Sequence, residues 1–155
     1  MSFRITGLSP EPFCHLFGLS DEELAHHRAR RYVADTKPGF PDRIEMRDAE
    51  PGETLLLLNH ECQPARTPYR ATHAIFVREG AEAAYSGIDV IPEPLRVRPI
   101  SLRAFNEAGE MVDADLVDGS ELRPLIERFF ANSAVSYLHA HYAKRGCYAA
   151  RFDRA

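Results

Sequence analysis

An α+β domain built mainly on antiparallel strands is the fold class this sequence predicts, and three observations predict it. Segments of alternating or fully apolar character fill the middle of the chain, at Thr54–Asn59, Thr72–Arg78, Val97–Phe105 and Met111–Val117. Helical signals are confined to one early and one late segment. The regular strand–helix alternation that would call for a doubly wound parallel sheet is missing. The arrangement expected is a twisted, mostly antiparallel sheet with two main helices packed on one side, partial closure into a barrel being its variant.

The 155 residues, 45% hydrophobic and 27% charged, match one ordinary globular domain spanning 1–155. Phe3-Arg4-Ile5 alternates and reads as a first strand ending before Gly7. Ser9-Pro10 opens a compact apolar turn through Pro12, Phe13, Leu16 and Phe17. Ser20-Asp21-Glu22-Glu23 carries the capping-box pattern, with Leu19 at the staple position, and predicts a helix from Asp21 to about Arg30. Arg31–Ala34 reads as a strand, Lys37–Pro41 as a turn, and Arg43–Arg47 as an alternating half-buried strand. Pro64–Pro68 is a loop between two apolar strands. Pro92 and Pro94 mark an edge or a connection. Asn106–Glu110 turns one strand back on the next. Ser120 is the expected cap of a second helix, Glu121 to about Asn132, with Leu122, Leu125, Ile126, Phe129 and Phe130 on one face. Val135–Tyr142 and Cys147–Phe152 read as the last strands, joined through Lys144-Arg145-Gly146.

Net charge is −4, and only Lys37 and Lys144 supply lysine, which argues against a nucleic-acid partner. The longest apolar run, Leu55–Leu58, is far short of the ~20 residues that span a bilayer. The N-terminus lacks the layout of a secretory signal, so no membrane partner is expected. Cys14, Cys62 and Cys147 are an odd count without a CxxC, which reads as reduced thiols in a cytoplasmic protein.

Lys37–Pro41, Asp48–Gly52, Pro68-Tyr69-Arg70-Ala71, Ala74–Arg78 and Gly146–Arg151 together resemble a bacterial family known as a domain of unknown function, number 1203, over nearly the whole chain. The resemblance implies a stand-alone bacterial domain, with no activity or catalytic residue to carry over. Where the family pattern runs aromatic, Glu, His, this chain reads His60-Glu61-Cys62, and it has no Cys near Asp42. Both departures weaken a strict catalytic role there.

Three groups of residues carry chemistry by type and spacing. Two i, i+2 pairs, His60 with Cys62 and His139 with His141, place side chains on one strand face, and His73 lies on a further strand. Imidazole and thiolate are zinc ligands, so neighbouring strands would allow a zinc site, with unrelated surfaces as the plain alternative. Cys147, with His139 or His141 as base, or His60, are the candidate catalytic residues; an inert core cysteine is the simpler reading. The Pro64–Arg70 loop presents Arg66, Tyr69 and Arg70 near His73, with Arg151 on a later strand. Guanidinium forks of this kind bind carboxylate or phosphate, unless Arg70 pairs locally with a residue such as Glu61. A small anionic ligand held by an Arg/Tyr/His-lined pocket is therefore the leading expectation, with no cofactor required. A non-catalytic interaction or self-association module and a zinc-binding domain are the alternatives.

Overall fold

Alternation along the strands sorts the apolar residues into two antiparallel sheets rather than one. The structure, a computed structural model, describes all of residues 1–155. In chain order the elements are β1 (Phe3–Thr6), α1 (Asp21–His26), β2 (Arg30–Val33), β3 (Thr54–Gln63), β4 (Ala71–Arg78), β5 (Ser86–Ile88), α2 (Glu93–Arg96), β6 (Pro99–Phe105), β7 (Met111–Asp118), α3 (Leu122–Phe130), β8 (Tyr137–Tyr142) and β9 (Tyr148–Arg154). Six strands pair in the order β5-β1-β9-β8-β6-β7, and three in the order β2-β3-β4. The α+β class holds. The barrel does not close, and the helices divide between the sheets.

The larger sheet has one dry face. Ile100, Leu102 and Ala104 of β6 join Leu138 and Ala140 of β8 and Phe152 of β9, and α3 covers them with Leu122, Leu125, Ile126, Phe129 and Phe130. Each Leu, Ile and Phe side chain among them contributes about 1.5–3 kcal/mol on burial. The smaller sheet turns Leu56, Leu58, Ile75 and Val77 toward Phe13, Leu16 and Leu24, with Leu24 on α1. Tyr148, the first residue of β9, packs into this second core and so belongs to both sheets' territory. No helix is long and apolar enough to cross a membrane.

Several elements depart from expectation for identifiable reasons. The capping box of α1 forms as read: the Glu23 N–H donates to Ser20 Oγ at 3.1 Å and the Ser20 N–H to Glu23 Oε2 at 3.0 Å. The helix nevertheless stops at His26, because Arg28 adopts φ 56° and Arg30 is already paired with Leu57 of β3. Arg43–Arg47 is not a strand. The Asp42 carboxylate accepts the N–H groups of Ile44 (3.1 Å) and Glu45 (2.6 Å), and Met46 takes φ 57°, so local side-chain bonding wins over sheet pairing. Ser120 does not cap α3. Asp118 accepts from the Ser120 N–H at 3.0 Å and starts a single 3-10 turn, Gly119–Glu121, ahead of the helix. Pro92 and Pro94 build the one-turn α2, and β5, which the sequence does not announce, pairs with β1.

Candidate functional site

The second face of the large sheet is polar and aromatic, and it meets the small sheet along a seam. Tyr137, His139 and His141 alternate out of β8 on the side opposite Leu138 and Ala140. The β6 partners of these residues are Phe105, Arg103 and Ser101. From the facing sheet come His60 and Cys62 of β3 and His73 of β4, with His60 directly opposite His73. A hydrogen bond from Gln63 Nε2 to Tyr137 Oη, 2.7 Å and buried, ties the two sheets at one end.

Two β-bulges shape this seam. On β3, Glu61 faces Thr72 and Gln63 faces Ala71, which leaves Cys62 as the extra residue. On β9, Ala150 pairs with Ala140 and Tyr148 with His141, which leaves Ala149 over. A bulge re-aims side chains, and here one lies at a cysteine and the other opposite a histidine. The result is a triad: one potential ligand atom each from Cys62, His73 and His141 lies within 4.8 Å of the others. The His73 and His141 rings are edge-to-face with centroids 4.9 Å apart.

The hydrogen bonds around the triad set its polarity. His141 Nδ1 is 2.9 Å from the Gly146 carbonyl, which can only accept, so Nδ1 carries the proton and Nε2 keeps its lone pair. His73 Nε2 is buried without a partner. Burial pushes the His141 imidazolium down to about 3, and lowers His73 as well, so both rings are neutral near pH 7. Burial also raises the Cys62 thiol, whose only bond is a weak one to the Ala71 carbonyl at 3.5 Å. Cys62 and His73 are half-buried, while His141 is only 1% exposed.

The other residues singled out from the sequence are distributed around this triad. His139 is buried among Phe105, Tyr137 and Tyr148, at ring distances of 5.0, 5.2 and 5.2 Å, with Nδ1 unpartnered and its pKa pushed down by burial to about 3. His60 lies between Phe13 and Tyr148 and also has a pKa lowered by burial. Neither joins the triad. Cys147 Sγ accepts from Arg43 Nη2 at 3.2 Å and bonds to no histidine, so the thiol–imidazole pair required of a nucleophile is not assembled. Arg66, Tyr69 and Arg70 are exposed. Arg70 is engaged by Glu61, with Nη2 at 2.8 Å, which is the local pairing weighed against anion binding. Arg151 forks onto Asp153 and lies over the Tyr137 ring at 4.1 Å. A surface groove of about 850 Å³ between Asn106–Ala108, Ser133–Ser136, Asp153 and Arg154 contains none of these residues.

Two arginines flank the seam that the sequence did not single out. Arg43, 2% exposed, donates to the carbonyls of Tyr148 (2.9 Å) and Pro41 (2.6 Å) besides Cys147, and its guanidinium lies over the Tyr142 ring. Arg103 is half-buried and makes a single bond, Nε to Ser101 Oγ at 3.3 Å. None of the ion pairs of the molecule includes either residue. The available signal for Arg103 was a charge between Leu102 and Ala104 in a strand whose only other polar side chain is Ser101.

Fold and seam define an antiparallel α+β domain in which two sheets enclose a line of histidines and a cysteine. Residues 39–154, which contain every seam residue named above, match the family model described as protein of unknown function (DUF1203), and the chain belongs to that family. No curated protein and no solved structure matches the chain.

Proposed function

We propose that this is a metal-binding domain that holds one zinc ion through Cys62, His73 and His141. The observation that carries the reading is the convergence of two imidazoles and one thiol from three strands of two different sheets onto one point. Zinc bonds of about 2.0–2.3 Å in tetrahedral geometry put ligand atoms roughly 3.3–3.8 Å apart. Contraction by about 1 Å therefore brings the triad to bonding distance. The His141–Gly146 bond supports the reading further, since a ligating imidazole ordinarily donates its other N–H to a fixed acceptor. The lone pair of His73 Nε2, buried without a partner, gains one in the bound form. Binding displaces the Cys62 proton, as thiolate ligation requires.

Three protein ligands leave one coordination position open, the pattern of zinc centres that bind and polarise an exogenous ligand rather than only brace a fold. Metal analysis of tag-free protein purified without chelator tests the reading. About one zinc per chain is expected, falling to a small fraction in Cys62→Ser and His141→Ala. Absence of any stoichiometric transition metal, with none taken up on titration with zinc, overturns it.

A further inference from the structure

We infer that the metal centre takes a small oxyanion, a carboxylate or phosphate, held between the open coordination position and the guanidinium of Arg103. The inference rests on the metal reading above and adds the chemical class of what the centre binds.

Charge is the first argument. Two neutral imidazoles and one thiolate around a zinc dication leave one net positive charge. Arg103 adds a second beside it, with no carboxylate in any ion pair with Arg103 or Arg43 to answer them. Accumulated positive charge in a partly dehydrated seam is costly unless an anion enters.

Geometry is the second. Arg103 is directly opposite His139 and two residues from Ser101, which is opposite His141, and all four alternate onto the seam face of the sheet. The position of that face is fixed by Phe105, whose ring lies 5.0 Å from His139. Through its bond to Ser101, Arg103 leans along β6 toward the register position of His141. Of the five N–H donors of a guanidinium, Arg103 commits only Nε, to one hydroxyl at 3.3 Å. The remaining fork matches two oxygens of a carboxylate or phosphate. Arg43 is not equivalent, because carbonyls, a thiol and an aromatic ring already occupy it.

The test uses the full chain loaded with cobalt(II), whose visible bands report both tetrahedral ligation and any change in the fourth ligand. Sodium phosphate and sodium acetate are titrated separately at constant ionic strength, which distinguishes the two oxyanion types. A saturable spectral change is expected with at least one of them. Arg103→Gln is expected to load cobalt with the same starting spectrum and to bind that anion about tenfold or more weakly. Arg103→Lys, which keeps the charge without the fork, is expected to fall between and serves if the Gln variant does not fold. An unchanged wild-type spectrum with both anions, or undiminished affinity in both variants, overturns the anion site while leaving the metal reading intact. Failure of the wild-type chain to take up cobalt overturns the metal reading and this inference together.

Discussion

His141 donates its Nδ1 proton to the carbonyl of Gly146 across 2.9 Å, and this one bond orients an imidazole that lies in the triad with Cys62 and His73. The acceptor is held by a tight turn between β8 and β9 in which Gly146 has φ 77° and the Gly146 N–H returns to the Tyr142 carbonyl at 2.8 Å. A Cβ at Gly146 would meet nothing within 4 Å, so the cost of a side chain there is purely conformational. Gly146→Ala is expected to lose about 1–2 kcal/mol of stability. Because the carbonyl shifts with the turn, zinc affinity is expected to fall by about tenfold. Chemical denaturation and chelator competition measure the two effects separately.

Zinc is expected to stabilise the folded chain by mass action, by about 4 kcal/mol when free zinc exceeds the dissociation constant a thousandfold. Thermal melts of apo and zinc-loaded protein should therefore separate clearly, and the separation should vanish in Cys62→Ser. A variant that still responds to zinc as the wild type does would show that the thiol is not a ligand.

His139 makes a sharper control, because it is just as buried as His141 yet lies outside the triad, with Nδ1 unpartnered. Replacing an unsatisfied buried ring by an apolar side chain removes a desolvation cost of about 1–3 kcal/mol. His139→Leu is expected to be neutral or more stable by up to about 1 kcal/mol, with metal loading retained. Metal analysis that found loading abolished in the folded variant would make His139 a ligand.

Acid sensitivity should come in part from Glu79, away from the seam. Its carboxylate receives Nε and Nη2 of Arg31 at 2.9 and 2.8 Å and the Gly18 N–H at 2.8 Å, and these hold its pKa down to about 2. An unfolded-state value near 4.3 lies above this, so the folded form binds fewer protons. The contribution is thus fully present above about pH 4.3 and lost as pH falls toward 2. It amounts to about 1–2 kcal/mol after allowing for solvent screening. Glu79→Gln should lower stability at pH 7 and flatten the acid limb of a stability–pH profile; an unchanged slope would sink this assignment.

The seam also depends on the bond from Gln63 Nε2 to Tyr137 Oη, which joins β3 to β8. Tyr137→Phe preserves the ring stacked on Phe105 at 5.4 Å but strands the buried amide donor. A loss of about 1–2 kcal/mol is expected in urea denaturation.

The early helix was legible because a capping box is local: Ser20 and Glu23 satisfy each other whatever the rest of the chain does. The late helix was legible from the periodicity of Leu122 to Phe130, and the strands from apolar alternation. Arg43–Arg47 misled, since the same alternation fits a run whose backbone is claimed by Asp42. At the seam, the His139/His141 pair was legible as two side chains on one strand face. Its chemistry was not, because one ring is held by Gly146 and the other is packed among aromatics.

By itself, then, the sequence determined the α+β class, the family to which residues 39–154 belong, and the residue types at hand: two histidines two apart, a histidine two residues from a cysteine, and a lone strand histidine. Tertiary structure alone decided that Cys62, His73 and His141 meet, that His60 and Cys147 do not join them, that Arg103 pairs opposite His139 on the same sheet face as His141, and that Arg70 is engaged by Glu61. The physical reason is that a strand's sequence specifies which side chains share a face, whereas the pairing of strands, the two bulges and the stacking of the sheets specify which faces touch.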